Sequence, residues 1–90
     1  MKGKTSTGFE YDINEMVINN MEFLEELASY LDGEGFEIFH VIEEVLGKDG
    51  KKALYEHVRD KSGKVPVDKI NEELAEIFTA LSGDEETKNS

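Results

Sequence analysis

The chain has no cysteine, no tryptophan and a single proline, and it carries no lysine or arginine between Glu10 and Glu44. Without cysteine there is no disulfide framework and no thiolate chemistry, which fits a reducing compartment. Apolar runs are only a few residues long, far short of the roughly 20 that a membrane-spanning helix needs. The opening MKGKTSTG turns polar at once and lacks the apolar stretch of a secretory signal. These absences predict a soluble, cytoplasmic chain with no membrane partner.

The missing basic residues locate the charge. Between Glu10 and Glu44 lie eleven acidic residues, whereas outside that window ten acidic residues balance ten basic ones. The whole net charge of −11 therefore belongs to the first half. Binding to nucleic-acid phosphates needs clustered Lys and Arg, so nucleic acid is excluded as a partner. Such a face is either a solvated surface or a contact for a basic partner. At 90 residues the chain makes one domain at most, burying about 60–65% of its unfolded surface. Oligomerisation or a partner would stabilise it.

What is present is helical periodicity. In Val65–Leu81, the residues Val67, Ile70, Leu74, Ile77 and Leu81 recur at steps of three and four and share one face, with Phe78 in the same arc. Asp68, Lys69, Glu72, Glu73 and Glu76 fall outside it, so the pattern predicts a helix with one buried stripe. Pro66 suits the first turn and Gly83 the stop.

From the start, Phe9-Glu10-Tyr11-Asp12-Ile13 alternates with the period of a half-buried strand. Thr5-Ser6-Thr7-Gly8 before it can turn back a hairpin, which must pack on helices, pair with Lys64-Val65 or add to another chain. A helical region begins near Asn14. Val17, Met21, Leu24, Ala28 and Leu31 form one seam, and Met16, Phe23, Leu27 and Tyr30 form a second stripe beside it. Asn19 or Asn20 caps a restart, with Glu22 completing a capping box from Asn19. A helix with two apolar stripes touches two neighbours, and the second stripe is either core or an interface.

Gly33 and Gly35 break the chain, and a second helix spans about Phe36 to Leu46 with Ile38, Phe39, Val41, Ile42, Val45 and Leu46 on its apolar side. Gly47 ends it, and Asp49 caps a third helix to about Asp60, with Ala53, Leu54 and Val58 inward. Lys61-Ser62-Gly63-Lys64 reads as a turn. The prediction is an all-α domain of about four short amphipathic helices with a short N-terminal strand or hairpin. Residues 1–8 read as a flexible N-terminus, 9–83 as a single helical domain and 84–90 as a disordered polar tail.

Candidate chemistry fails on spacing. Glu37 and His40 form the Glu-x-x-His pair of di-iron bundles, but Leu54 stands where His57 would need a glutamate. The segment from Asp32 resembles a calcium loop only in composition, because Phe36 and Glu37 occupy the positions that need an oxygen ligand and glycine. Gly3-Lys4-Thr5 is the end of a phosphate loop without its upstream glycine. No serine sits in a nucleophile motif. The expectation is a non-enzymatic chain with no metal and no cofactor, and with His40 and His57 at helix surfaces.

Four segments in order resemble the tail assembly chaperones of long, non-contractile-tailed bacteriophages and prophages of Gram-positive bacteria. They are the strand from Gly8 to Asn14, then Asn20-Met21-Glu22-Phe23-Leu24-Glu25-Glu26-Leu27-Ala28, then Leu46-Gly47 ahead of Leu54-Tyr55-Glu56-His57-Val58-Arg59-Asp60, and last Gly63-Lys64-Val65-Pro66-Val67 opening a helix that ends Glu76-Ile77-Phe78. Met21 stands where the resemblance leads one to expect tryptophan. The likeness implies a chaperone that self-associates, coats the tape measure protein (a long helical rod), keeps it soluble and gives way to tail tube protein. It also implies a longer form made by frameshifting near the C-terminus. Phe23, Leu27 and Tyr30, with Glu22, Glu26 and Glu37 as their acidic surround, are the residues expected to meet that partner by helix-in-groove packing. The other reading of the charge is an acidic DNA mimic or inhibitor that binds a basic host protein. The last helix then serves as a lid on the core, and the first as the contact surface.

Overall fold

The computed structural model of the protein describes residues 1–33 and 37–89, with the backbone alone for Glu37 and residues 82–89. In chain order the elements are β1 (Lys2–Lys4), β2 (Glu10–Asp12), α1 (Glu15–Ile18), α2 (Met21–Leu31), α3 (Glu37–Val58) and α4 (Val67–Asn89). Four helices and a two-stranded sheet among the described residues match the architecture read from the patterning. Two compact units emerge, Met1–Lys2 with Tyr11–Ala53 and Gly3–Glu10 with Leu54 onward. Reading one domain over 9–83 does not draw that division.

Residues 1–8 hold the first strand and the turn of a hairpin, at the turn residues Thr5-Ser6-Thr7-Gly8 that the sequence offers for one. The Gly8 N–H donates to the Thr5 carbonyl at 3.0 Å, and the Thr5 N–H donates to the Phe9 carbonyl at 2.9 Å. Gly8 has φ +96°, the glycine-favouring conformation that ends a three-residue hairpin loop. The Thr5 hydroxyl accepts the Phe9 N–H at 3.1 Å, so the chain tightens on its own side chain. Beyond the turn Phe9, Tyr11 and Ile13 are buried and Glu10 and Asp12 exposed, the period-two alternation read from the residues.

In the first unit the buried apolar set is Tyr11, Ile13, Phe23, Val41, Ile42 and Val45. Asn14 caps α1 by accepting the Met16 N–H, and Asn20 caps α2 by accepting the Glu22 N–H at 2.9 Å. The restart is therefore real, and its cap is Asn20. Counting from Asn20, the third helical position is Phe23, so Glu22 closes no capping box.

Helix α3 is two helical pieces joined at Gly47, whose φ 76° and ψ 172° lie in a region essentially restricted to glycine. This break falls where the second helix was predicted to end. Three residues on, a Cβ at Gly50 would come within 2.8 Å of the Leu46 Cβ, so the chain also needs a bare Cα there. Gly47→Ala is expected to cost about 1–3 kcal/mol in urea unfolding; a neutral substitution would contradict the break. The predicted start of this helix near Phe36, and Gly35 before it, lie outside the described residues.

In the second unit Phe9, Leu54, Ile70, Leu74 and Ile77 are buried, together with Thr5 and Glu73. The predicted α4 stripe holds at Ile70, Leu74 and Ile77, whereas Val67 is 69% exposed, at the helix entrance. Pro66 lies just before the helix, its carbonyl accepting the Ile70 N–H at 3.2 Å, so its missing N–H removes no helical bond. Residues 60–64 form the expected turn. Asp60 Oδ1 accepts the Ser62 hydroxyl at 2.6 Å, the Ser62 N–H at 2.9 Å and the Lys64 N–H at 3.0 Å. Those bonds, the Ser62 hydroxyl first, hold the Asp60 carboxyl below its ordinary range. Gly83 does not stop α4, whose bounds reach Asn89. Ser90 lies outside the described residues. No helix among the described residues is long and apolar enough to cross a membrane.

Candidate partner-binding surface

Two arrangements stand out, one in each unit. The first is α2, three turns that carry apolar side chains over about half their circumference. Only part of that arc is covered. Phe23 is 2% exposed, and Leu27 and Tyr30 on the same side are half-buried. Burial raises the Tyr30 phenol above its ordinary value of 10. Next around the helix, Met21 is 70%, Leu24 45% and Leu31 66% exposed, and Ala28 is exposed with them. Their steps of three, four and three make a narrow apolar seam facing solvent.

The two stripes differ in burial. Phe23, one of the residues expected to meet a partner and on a stripe read as either core or interface, is core, and Leu27 and Tyr30 beside it are half-buried. Residues 21, 24, 28 and 31, the seam beside that stripe, are exposed. The physical reason lies at Asn19 and Asn20. Asn19 has φ −95° and ψ 57°, and Asn20 has φ −148° and ψ 116°, so the chain leaves helical geometry between α1 and α2. A seam drawn continuously from Val17 to Leu31 assumes a phase the backbone does not keep. In α1, Val17 is half-buried while Met16 is 74% exposed.

Of the predicted acidic surround, Glu22 is exposed and Glu26 is half-buried. Glu26 Oε2 lies 3.3 Å from His40 Nδ1 on α3. The side chain of Glu37 lies outside the described residues. Glu22, Glu25, Glu26 and Ser29 line a shallow open groove on α2. Going round the helix at about 100° per residue, Asp32 and Glu25 come next to the free edge of the apolar seam. Among the described residues, Glu22, Glu25 and Asp32 enter no ion pair, whereas Glu43 on α3 pairs with Lys51 at 2.8 Å. The Lys51 ammonium lowers the Glu43 carboxyl, chiefly through that hydrogen bond.

The second arrangement is the hairpin turn on α4. Thr7 Oγ1 donates to Glu73 Oε2 at 2.6 Å and lies 2.9 Å from His57 Nε2. Its one proton goes to the carboxylate, so His57 must donate from Nε2, which fixes the tautomer. Thr5 Oγ1, 3.2 Å away, must donate to Thr7 as well. The His57 ring lies 5.5 Å from that of Phe9, centroid to centroid. In this arrangement His57 Nε2 serves Thr7 as a donor and accepts no proton there. The network docks the turn.

Sequence patterning missed Glu73, placed outside the stripe yet 3% exposed, with Oε1 unpartnered among the described residues. Its position three after Ile70 and four before Ile77 carried the signal, because that spacing puts it on the buried face. One turn on, the exposed Glu76 carboxylate accepts the Ser6 N–H at 2.7 Å and hydroxyl at 2.6 Å. The Ser6 hydroxyl, then its N–H, hold the Glu76 carboxyl below its ordinary 4.5. A depressed folded-state value means that the clasp contributes fully above about pH 4.5 and is lost as the pH falls through the lowered value. In urea unfolding, wild type is expected to exceed Glu76→Gln at neutral pH and to converge with it in acid; a difference independent of pH would contradict the clasp.

Among the described residues, no three His, Asp or Glu side chains gather as a metal-holding group. No family model, curated protein or solved structure matches this chain.

Proposed function

We propose that the protein is a non-enzymatic assembly chaperone that acts in a bacterial cytoplasm. It binds an elongated helical partner, the tape measure protein of a long non-contractile phage tail, and keeps it soluble until tail tube subunits replace it. One observation supports this reading above the others, the solvent-facing seam Met21, Leu24, Ala28 and Leu31 on a helix otherwise rich in carboxylates. An unassembled rod of amphipathic helices exposes apolar stripes, and a seam of helical spacing covers such a stripe by helix-on-helix packing. The surrounding charge keeps a complex of many copies soluble. The resemblance of four ordered segments to tail assembly chaperones is the ground for naming this partner.

Co-expression with the long helical open reading frame encoded downstream tests it. The wild-type chain is expected to yield a soluble complex, and the Leu24→Asp, Leu31→Asp double variant to lose most of it while keeping its own circular dichroism. An insoluble partner with no co-purifying chain would overturn the proposal. The uncompensated charge of Glu10 to Glu44 favours a second reading, an acidic mimic of DNA that binds a basic host protein. A mimic binds through charge, so its complexes dissolve in salt and ignore Leu24 and Leu31.

A further inference from the structure

We infer that the α2 seam takes a single amphipathic helix of a partner protein whose apolar stripe is bordered by lysine or arginine, and not a second copy of this chain. The inference rests on α2 being the docking surface and goes further by fixing the chemistry of the occupant.

Shape comes first. The seam is one side chain wide and eleven residues span about 16 Å, so it matches one straight helix over roughly three turns. Ala28 sits in the middle of the seam, where a small side chain lets two helix axes approach closely.

Charge then selects among helices. Glu25 and Asp32 border the seam on its open side, with Glu22 and the rest of the acidic groove beyond them. None of these three carboxylates has an ionic partner among the described residues, and Glu10 to Glu44 contains no lysine or arginine to supply one. A second copy docking about a two-fold axis brings the same set with it. Antiparallel, that set faces itself; parallel, Glu25 and Asp32 face Asn20 and Leu27, which neutralise nothing. Like charges at an interface rim suppress association, and opposite charges there favour and steer it. A basic border on the incoming helix satisfies both the seam and its edge.

The test uses the full chain and three fluorescent helical peptides that share one apolar heptad stripe and carry lysine, glutamine or glutamate at the bordering positions. Anisotropy titrations at low and high salt are expected to rank lysine over glutamine by about tenfold, with glutamate weakest and the ranking compressed by salt. Reversing the border with Glu25→Lys and Asp32→Lys, both exposed positions, should reverse the ranking. Equal affinity for the lysine and glutamine peptides, lost in Leu24→Asp, would overturn the basic partner and leave the docking surface standing. No binding by any peptide would overturn both. A dimer of the chain alone that Leu24→Asp converts to monomer would also overturn the inference, since the second copy would then be the occupant.

Discussion

Phe23→Ala is expected to remove a large share of the protein's stability, while Leu24→Ala, one residue along the same helix, is expected to leave its stability almost unchanged. Phe23 is 2% exposed, and truncating a buried phenylalanine costs about 3–5 kcal/mol through lost transfer free energy and the cavity left behind. A chain of 90 residues has only about 5–13 kcal/mol in total. Leu24 already meets water over 45% of its surface, so its removal should cost under about 1 kcal/mol. Urea unfolding of the two variants reads the difference. Equal losses would mean that α2 is turned differently, with Leu24 inside.

Thr7→Val is the second large effect, expected to cost about 2 kcal/mol. Valine has the shape of threonine, so no cavity forms and the loss comes from hydrogen bonds alone. Glu73 Oε2 loses its donor while Oε1 has none among the described residues, which leaves a buried carboxylate without a described donor. His57 loses its acceptor in the same step. The bond lies partly buried beneath an exposed turn, so water repairs some of the damage. Thr7→Ser keeps the hydroxyl and should stay within about 1 kcal/mol of wild type. Combining Thr7→Val with Glu73→Leu should recover part of the loss, because removing both partners of a buried polar contact is often nearly neutral. A double variant that falls by the sum of the singles would contradict the coupling.

Much of the architecture is written in local signals. The alternation from Phe9 to Ile13, the restart at Asn20, the break at Gly47 and the turn at 60–64 each depend on a few adjacent residues whose backbone chemistry has one good solution. The inward stripe of α4 was legible because Ile70, Leu74 and Ile77 are its only continuous apolar choice. The orientation of α2 was not legible. Its apolar arc offers two stripes of similar size, and tertiary packing, which spacing does not encode, decides which turns inward. Glu73 was misread because a carboxylate is ordinarily an exposed residue; its burial depends on a threonine 66 positions away. Phe23, Leu27 and Tyr30, read as the contact stripe, are buried or half-buried, and the stripe beside them faces solvent.

The most direct test of the docking role is oxidation footprinting of Met21 in the free chain and in complex with the helical partner. Met21 is 70% exposed on the seam and should oxidise readily in the free chain. If α2 docks the partner as proposed, its oxidation rate falls several-fold in the complex, with circular dichroism of the free chain unchanged. A Met21 that oxidises at the same rate in a saturated complex would place the contact elsewhere and contradict the account.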